Sequence, residues 1–177
     1  MWFVIYVKPG AEEQAVGLLK STNKGDGLEE VFCPMAECVY CENGEEMRSL
    51  IPMFDGCVFA IASNKGELRD CMRRAEGIDE LCNCENHFVA MNDGEGDFID
   101  SLASPGKRVV VMSEAVVDDN GSIQIERGPL LGREREIRKR KGMRRWVYLD
   151  TSIAGRPASA HIGLRVTRNA KVHPWER

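Results

Sequence analysis

The sequence predicts an α+β protein: an antiparallel sheet with packed helices, followed by a small all-β barrel. Three observations carry that reading. Up to about residue 104, β-branched and aromatic runs alternate with stretches whose apolar residues recur at helical spacing. From Ser122 to Arg168 the chain reads as five short β-like segments, several divided by Gly or Pro, a pattern best closed as a barrel. The charge also divides: residues 1–119 hold 10 Lys/Arg against 23 Asp/Glu (net −13), and residues 120–177 hold 14 against 5 (net +9), within a total of −4. Such asymmetry marks two units with different partners.

The elements follow in order. Trp2 to Val7 is a strand stopped by Pro9-Gly10. Ala11 to Lys20 is a helix, with Ala15, Val16, Leu18 and Leu19 at helical spacing and Glu12 and Glu13 where the helix dipole favours acids. Glu30 to Cys33 and Glu37 to Cys41 are strand pieces interrupted by Pro34, and Asn43-Gly44 turns the chain back into a strand from Met47 to Ile51. Cys57 to Ile61 is a buried strand after the Pro52 to Gly56 turn. Gly66 to Ala75 is a helix, Phe88 to Met91 a strand and Gly94 to Ser104 a third helix. The expected organisation is a first domain over 1–104, a linker over 105–119 and a barrel domain over 120–177.

Composition excludes several classes. No apolar run approaches the roughly 18 residues of a membrane span, so no membrane association is expected. The N-terminus lacks a basic region before its apolar stretch, which favours a first strand over a signal peptide and a cytoplasmic location. The seven cysteines are odd in number, which argues against a disulfide framework. Cys38-x-x-Cys41 and Cys82-x-Cys84 could be imagined as zinc ligands, but the second spacing is tight, and buried or half-exposed thiols are the stronger expectation. His87, His161 and His173 pair with no Cys or carboxylate at a catalytic spacing. Gly94-Glu95-Gly96 lacks the Lys-Ser/Thr of a phosphate loop. No enzyme activity, metal or cofactor is expected, and the protein is expected to be a monomer.

The segment Arg133 to Arg145 is the strongest anomaly. It contains Arg133, Arg135, Arg138, Lys139, Arg140, Lys141, Arg144 and Arg145. Glu134/Arg138 and Glu136/Arg140 are partners at helical spacing, so a solvated face is the bland alternative. Two acids do not neutralise eight bases, however, and these eight residues are the candidate nucleic-acid contacts. Trp146 and Tyr148 are candidate base-stacking residues, with barrel packing the stronger expectation for Trp146.

These residues carry a resemblance over nearly the whole chain. The Trp2 strand, Phe54-Asp55-Gly56-Cys57 before a buried strand, Arg127-Gly128-Pro129-Leu130-Leu131-Gly132 and the Gly155-Arg156 turn resemble, in order and spacing, motifs of the NusG family of transcription elongation factors. The third resembles the KOW motif that opens the family's small, SH3-like C-terminal barrel. The short N-terminus, Met112-Ser113-Glu114 and the basic strand after the KOW turn look most like the specialised LoaP type of antiterminator. Two departures stand out: Asp55 and Cys57 replace a proline and a tyrosine, and Ala154 stands where housekeeping members carry an aromatic.

The resemblance implies a first domain that binds the clamp of RNA polymerase, with Tyr6, Met53 and Phe54 as contact residues and Phe3 and Phe59 in the core. It further implies a barrel that contacts RNA or a protein. The expected function is operon-specific antitermination, the barrel reading a nascent RNA hairpin. The alternatives are a housekeeping factor whose barrel binds Rho or a ribosomal protein, and an RNA-processing enzyme, for which no catalytic constellation is present.

Overall fold

The computed structural model describes residues 1–23, 25, 27–82, 88–103, 106–117, 123–140 and 146–168, and only the backbone of Cys41, Arg138, Lys139, Arg140 and Arg168. β1 (Trp2–Tyr6) leads into α1 (Glu12–Thr22), β2 (Leu28–Phe32), β3 (Met35–Glu42), β4 (Glu45–Pro52) and β5 (Cys57–Ala62). Next come α2 (Lys65–Arg74), the single turn α3 (Ile78–Leu81), β6 (Phe88–Ala90) and α4 (Glu95–Leu102). The remainder is β7 (Val109–Val110), β8 (Ser113–Val117), β9 (Ile123–Arg127), a 3-10 turn at Glu134–Glu136, β10 (Ile137–Arg140), β11 (Trp146–Ile153) and β12 (Arg156–Arg168). The class is α+β, as expected.

The first sheet has the order β2-β5-β1-β6 and is antiparallel throughout. Strand alternation divides its side chains between two cores. Phe3 and Ile5 stand opposite Ala60 and Val58 and pack with Ala15, Leu19 and Leu68 of the covering helices. Val4 stands opposite Phe59 and faces the other way, into a core shared with Ile99 and Leu102 of α4. Each fully buried large side chain contributes roughly 1.5–3 kcal/mol.

A second sheet, β4-β3-β7, is built on a hairpin whose turn residues Asn43 and Gly44 both have positive φ, 52° and 85°. Two such residues in succession match the twist of a two-residue hairpin, and Asn-Gly supplies them at low cost. The third sheet has the order β10-β11-β12-β8-β9, with β12 and β8 parallel. Ile123 and Ile125 of one edge strand and Ile137 of the other line a common cavity of about 180 Å³, so this sheet is curled into a barrel.

Two features of the chain differ from the sequence reading. The stretch 105–119, expected as a linker in which Val109 to Met112 could pair as a strand, carries β7 there on the second sheet and, unexpected, β8 in the barrel sheet. The segments 158–164 and 165–168, expected as two strands, form one continuous β12. The core beneath the first sheet continues without interruption into the barrel: Val4, Phe32 and Phe59 belong to the same cluster as Val147, Leu149, Ile162 and Leu164.

Candidate binding surfaces at the junction of the two units

The turn that carries Phe54-Asp55-Gly56-Cys57 is held from beneath. Glu12 is buried, and its carboxylate accepts hydrogen bonds from the amides of Gly10 at 2.8 Å and Gly56 at 2.6 Å. Its place in the first turn of α1 therefore serves a loop 44 residues away more than the helix dipole. The amide of Val7 donates to the Gly56 carbonyl at 2.8 Å, and that of Met53 to the Pro34 carbonyl at 2.7 Å. Cys57 and the nearby half-buried Cys33 have thiols pushed up to about 12, chiefly by burial and then by the charge of Glu12, so both remain protonated at neutral pH. Cys38, Cys71 and Cys82 are buried, whereas Cys84 lies outside the described residues.

The three expected polymerase contacts do not share one exposed face in this conformation. Met53 is 0% and Phe54 3% exposed, and only Tyr6 is half-exposed. Phe54 packs on Phe59 at 5.7 Å between ring centres. The barrel covers this region: the His161 amide donates to the Met53 carbonyl at 2.8 Å, and the His161 ring Nδ1 lies 3.2 Å from the Pro52 carbonyl. The Arg156 guanidinium sits 5.8 Å from the Tyr6 ring centre. Tyr6 and Phe54 still share a cleft of about 380 Å³ with Asp55, Arg156 and His161, but Met53 does not line it. Phe3 and Phe59 are fully buried, as expected.

A second contact centres on α4. The tip of the β11–β12 hairpin is Ala154-Gly155, with φ of 51° and 71°. Its amides donate to Glu95, from Ala154 at 2.8 Å and from Gly155 at 3.0 Å, and the Ser152 hydroxyl adds a bond of 2.8 Å. The Asn92 amide donates from the other side at 2.8 Å. Burial raises the Glu95 carboxyl, but the bonds from Gly155, Asn92, Ser152 and Ala154 outweigh it and hold the group below the usual carboxylate range. Its folded value is depressed, so its stabilising contribution is full above the ordinary carboxylate pKa and is lost as pH falls through the lowered value. The clasp should therefore hold at neutral pH and open only in acid, which a pH series following the amide resonances of Ala154 and Gly155 would check.

One turn along α4, the Arg133 guanidinium lies 5.5 Å from the Phe98 ring centre and donates to the Ser101 hydroxyl at 2.9 Å. Arg133 is thus half-buried at the junction, with Glu136 3.6 Å away, and is not a free RNA contact in this conformation. Arg135 is exposed. Arg138, Lys139 and Arg140 lie on β10, with Lys139 opposite Tyr148 and Arg140 opposite Val147. Lys141, Arg144 and Arg145 lie outside the described residues, as do His87 and His173. Tyr148 meets the His161 ring edge-on at 4.9 Å, and Trp146 is half-buried opposite Gly163. Both aromatics therefore lie on the strand pair that packs towards the first unit.

The third contact is between strands. β12 crosses β3 so closely at Gly163 that a Cβ there would lie 1.9 Å from the Glu37 carbonyl oxygen. Arg165 pairs with Glu46 at 3.0 Å beside it. Sequence reasoning missed Glu95, Gly163 and Glu37, because none belongs to a recognisable motif. The Ala154-Gly155 turn was the one local signal of that contact. Among the described residues, no helix is long and apolar enough to cross a membrane, and no cluster of three or more metal-ligating side chains occurs.

Comparison with known proteins gives a family. A solved structure described as domain interaction in Thermotoga maritima NusG is similar over 92% of this chain and 92% of its own, with 15% identical residues and a TM-score of 0.48. No curated protein matches. The model of the family described as transcription termination factor nusG matches residues 1–99. That is more than half of the 177 residues, and the chain belongs to the NusG family of transcription factors.

Proposed function

We propose that this protein is a specialised antitermination factor, recruited to RNA polymerase by its first unit and to a nascent RNA hairpin by its basic barrel. Family membership supports the polymerase half; the proposed partner is the clamp and the proposed contacts are Tyr6, Met53 and Phe54, the last two reached once the barrel leaves them. The polymerase-binding part is residues 1–104, and the RNA-binding part is 120–177 together with β8. RNA binding raises the local concentration of the polymerase-binding unit at the transcripts that carry the hairpin, which makes recruitment selective.

The observation that carries the RNA half is the position of β10 at the edge of the barrel sheet. Edge strands often carry a few basic residues simply to prevent sheet-to-sheet association. Here eight bases occupy the thirteen residues 133–145, three of them on β10 itself, far more than such protection requires. An edge presents its charges to a groove or a phosphate backbone without unpairing the sheet. A-form RNA is read through shape, phosphates and 2′-OH groups, which suits such a ridge. Arg forks match phosphate oxygens in pairs. The net −13 of residues 1–119 disfavours indiscriminate binding of DNA by the first unit.

Reversing the charge of Arg138 and Arg140 to Glu tests the assignment. Removing two phosphate contacts near 0.1 M salt should lower affinity for a short RNA hairpin on the order of 30-fold, and repulsion should add to that. Circular dichroism should be unchanged. Unaltered gel-shift affinity would overturn the RNA assignment and leave the family membership intact.

A further inference from the structure

The tip of the β11–β12 hairpin is built as an anion site. Ala154 and Gly155 both have left-handed backbones, and their two amides converge on one carboxylate together with the Ser152 hydroxyl. Successive N–H groups in such a turn form a concave nest that binds an oxyanion whatever group bears it. Carboxylate and phosphate oxygens accept the same charge-assisted bonds. Three of the four donors on Glu95 come from the barrel, and only Asn92 comes from the first unit. The nest therefore belongs to the barrel, and Glu95 is the ligand that fills it. Next in sequence is the exposed Arg156, which pairs with Ile153 and turns its guanidinium to the Tyr6 ring, 5.8 Å from its centre, so the nest itself is made of amides and a hydroxyl. The nest lies in the half of the chain with net +9, and the acid that fills it comes from the half with net −13.

We propose that the Ser152–Gly155 turn is a phosphate subsite of the barrel's RNA surface, which Glu95 occupies in the closed chain as an internal stand-in for phosphate. The inference rests on the RNA-binding reading above. RNA phosphate and Glu95 compete for the same donors. RNA binding at this turn and release of the barrel from Met53 and Phe54 are then one exchange. By linkage, whatever holds the junction closed weakens RNA binding by the same factor with which RNA opens it. An acidic protein segment would satisfy the nest alone, but the basic charge of the whole half favours a polyphosphate chain.

The test compares the full chain with Glu95→Gln, which keeps the side chain's size and removes its charge. The probe is a fluorescein-labelled short RNA hairpin of arbitrary sequence, followed by anisotropy over a salt series, with labelled polyglutamate in parallel. Glu95→Gln should bind the hairpin about fivefold tighter or more. Its log–log salt slope should be steeper by about 0.7–0.9, one added phosphate contact. Combining it with Ser152→Ala should remove the gain. Glu95→Asp keeps the charge and shortens the reach, and should give a smaller gain; it stands in should melting show that the Gln variant has unfolded. Unchanged hairpin affinity and slope in every folded variant would overturn the inference. If Arg138/Arg140 reversal still weakened binding as expected in that case, the RNA reading would survive it. A gain for polyglutamate and none for RNA would overturn it in favour of an acidic protein partner. Absence of hairpin binding by all proteins, wild type included, would overturn both readings.

Discussion

Replacing Gly163 by alanine should drive the barrel off the first unit. The added methyl carbon would lie 1.9 Å from the Glu37 carbonyl oxygen, 3.0 Å from its carbonyl carbon and 3.2 Å from Met112 Cγ. The methionine can rotate away, but a backbone oxygen in the middle of β3 cannot. Flanking contacts hold β12 against the β3–β4 hairpin, through β4 and the residue after it: the His161 amide on the Met53 carbonyl and the Arg165–Glu46 pair. Over-packing of this kind costs roughly 1–3 kcal/mol, and here it acts only where the units meet. Gly163 lies within a regular strand opposite Trp146, so the barrel itself tolerates a small side chain at that point. A penalty of that size, felt only by the closed arrangement, shifts its population roughly 5- to 150-fold towards an open one. Hydrogen exchange should show the His161 amide losing protection while the amides paired between β11 and β12 keep theirs. If Met53 and Phe54 are the polymerase contacts, a pull-down should recover more polymerase with the variant. Unchanged protection at His161 would show that the junction tolerates the methyl group and that the strand crossing does not enforce closure.

Glycine at 163 also shows where the sequence could be read and where it could not. Local turn chemistry was legible: Asn43-Gly44 predicts the β3–β4 hairpin, and both residues adopt the left-handed backbone that the pair permits. Pro34 divides β2 from β3 as expected. An interior glycine, by contrast, gives no sign of its purpose. In β12 it falls inside the segment expected over 158–164, where the pattern marks only a strand, while its role is to let another backbone approach. β8 was hidden for a related reason. Ser113 and Ala115 are its buried positions, and small side chains give a poor apolar signal. Its parallel partner β12 lies some fifty residues further on, and nothing local encodes that pairing.

The buried carboxylates failed in the same way. Glu12 and Glu95 each sit at the start of a helix, where an acid needs no further explanation. Each in fact binds amides 44 to 60 residues distant. Phe54 was read as exposed because strand alternation and turn position describe only its own sheet. It is buried on Phe59 and within the core that joins both units. The basic segment was legible as charge alone. Its division into Arg133, packed against α4, and the residues along β10 depends on tertiary contacts that no spacing rule contains.

Replacing Arg108 by methionine should cost the fold about 2–3 kcal/mol. Arg108 lies just before β7, where the chain leaves the first sheet for the barrel, and has a positive φ of 54°. Its side chain is only 10% exposed. The guanidinium binds Glu30 through two bonds, at 2.9 Å from Nε and 2.5 Å from Nη2, and also contacts Asp100. Its flat face lies 4.1 Å from the Phe32 ring centre and 5.3 Å from that of Trp2. Four elements therefore meet on one side chain: β1, β2, α4 and the chain entering the barrel. The Arg108 carbonyl also accepts the Met35 amide at 2.9 Å, which aligns β7 with β3. Removing one partner of a buried ion pair typically costs roughly 3–5 kcal/mol. Glu30 and Asp100 are 34% and 40% exposed and can be rehydrated, which lowers the expected loss. For a chain of this size, that loss lowers the melting temperature by about 5–10 °C. Lysine at 108 keeps the charge but loses both the fork and the stacking, so it should recover less than half of the loss. Thermal unfolding of the two variants at neutral pH measures this directly. Equal melting temperatures for methionine and wild type would mean that Trp2 and Phe32 hold this crossing by packing alone.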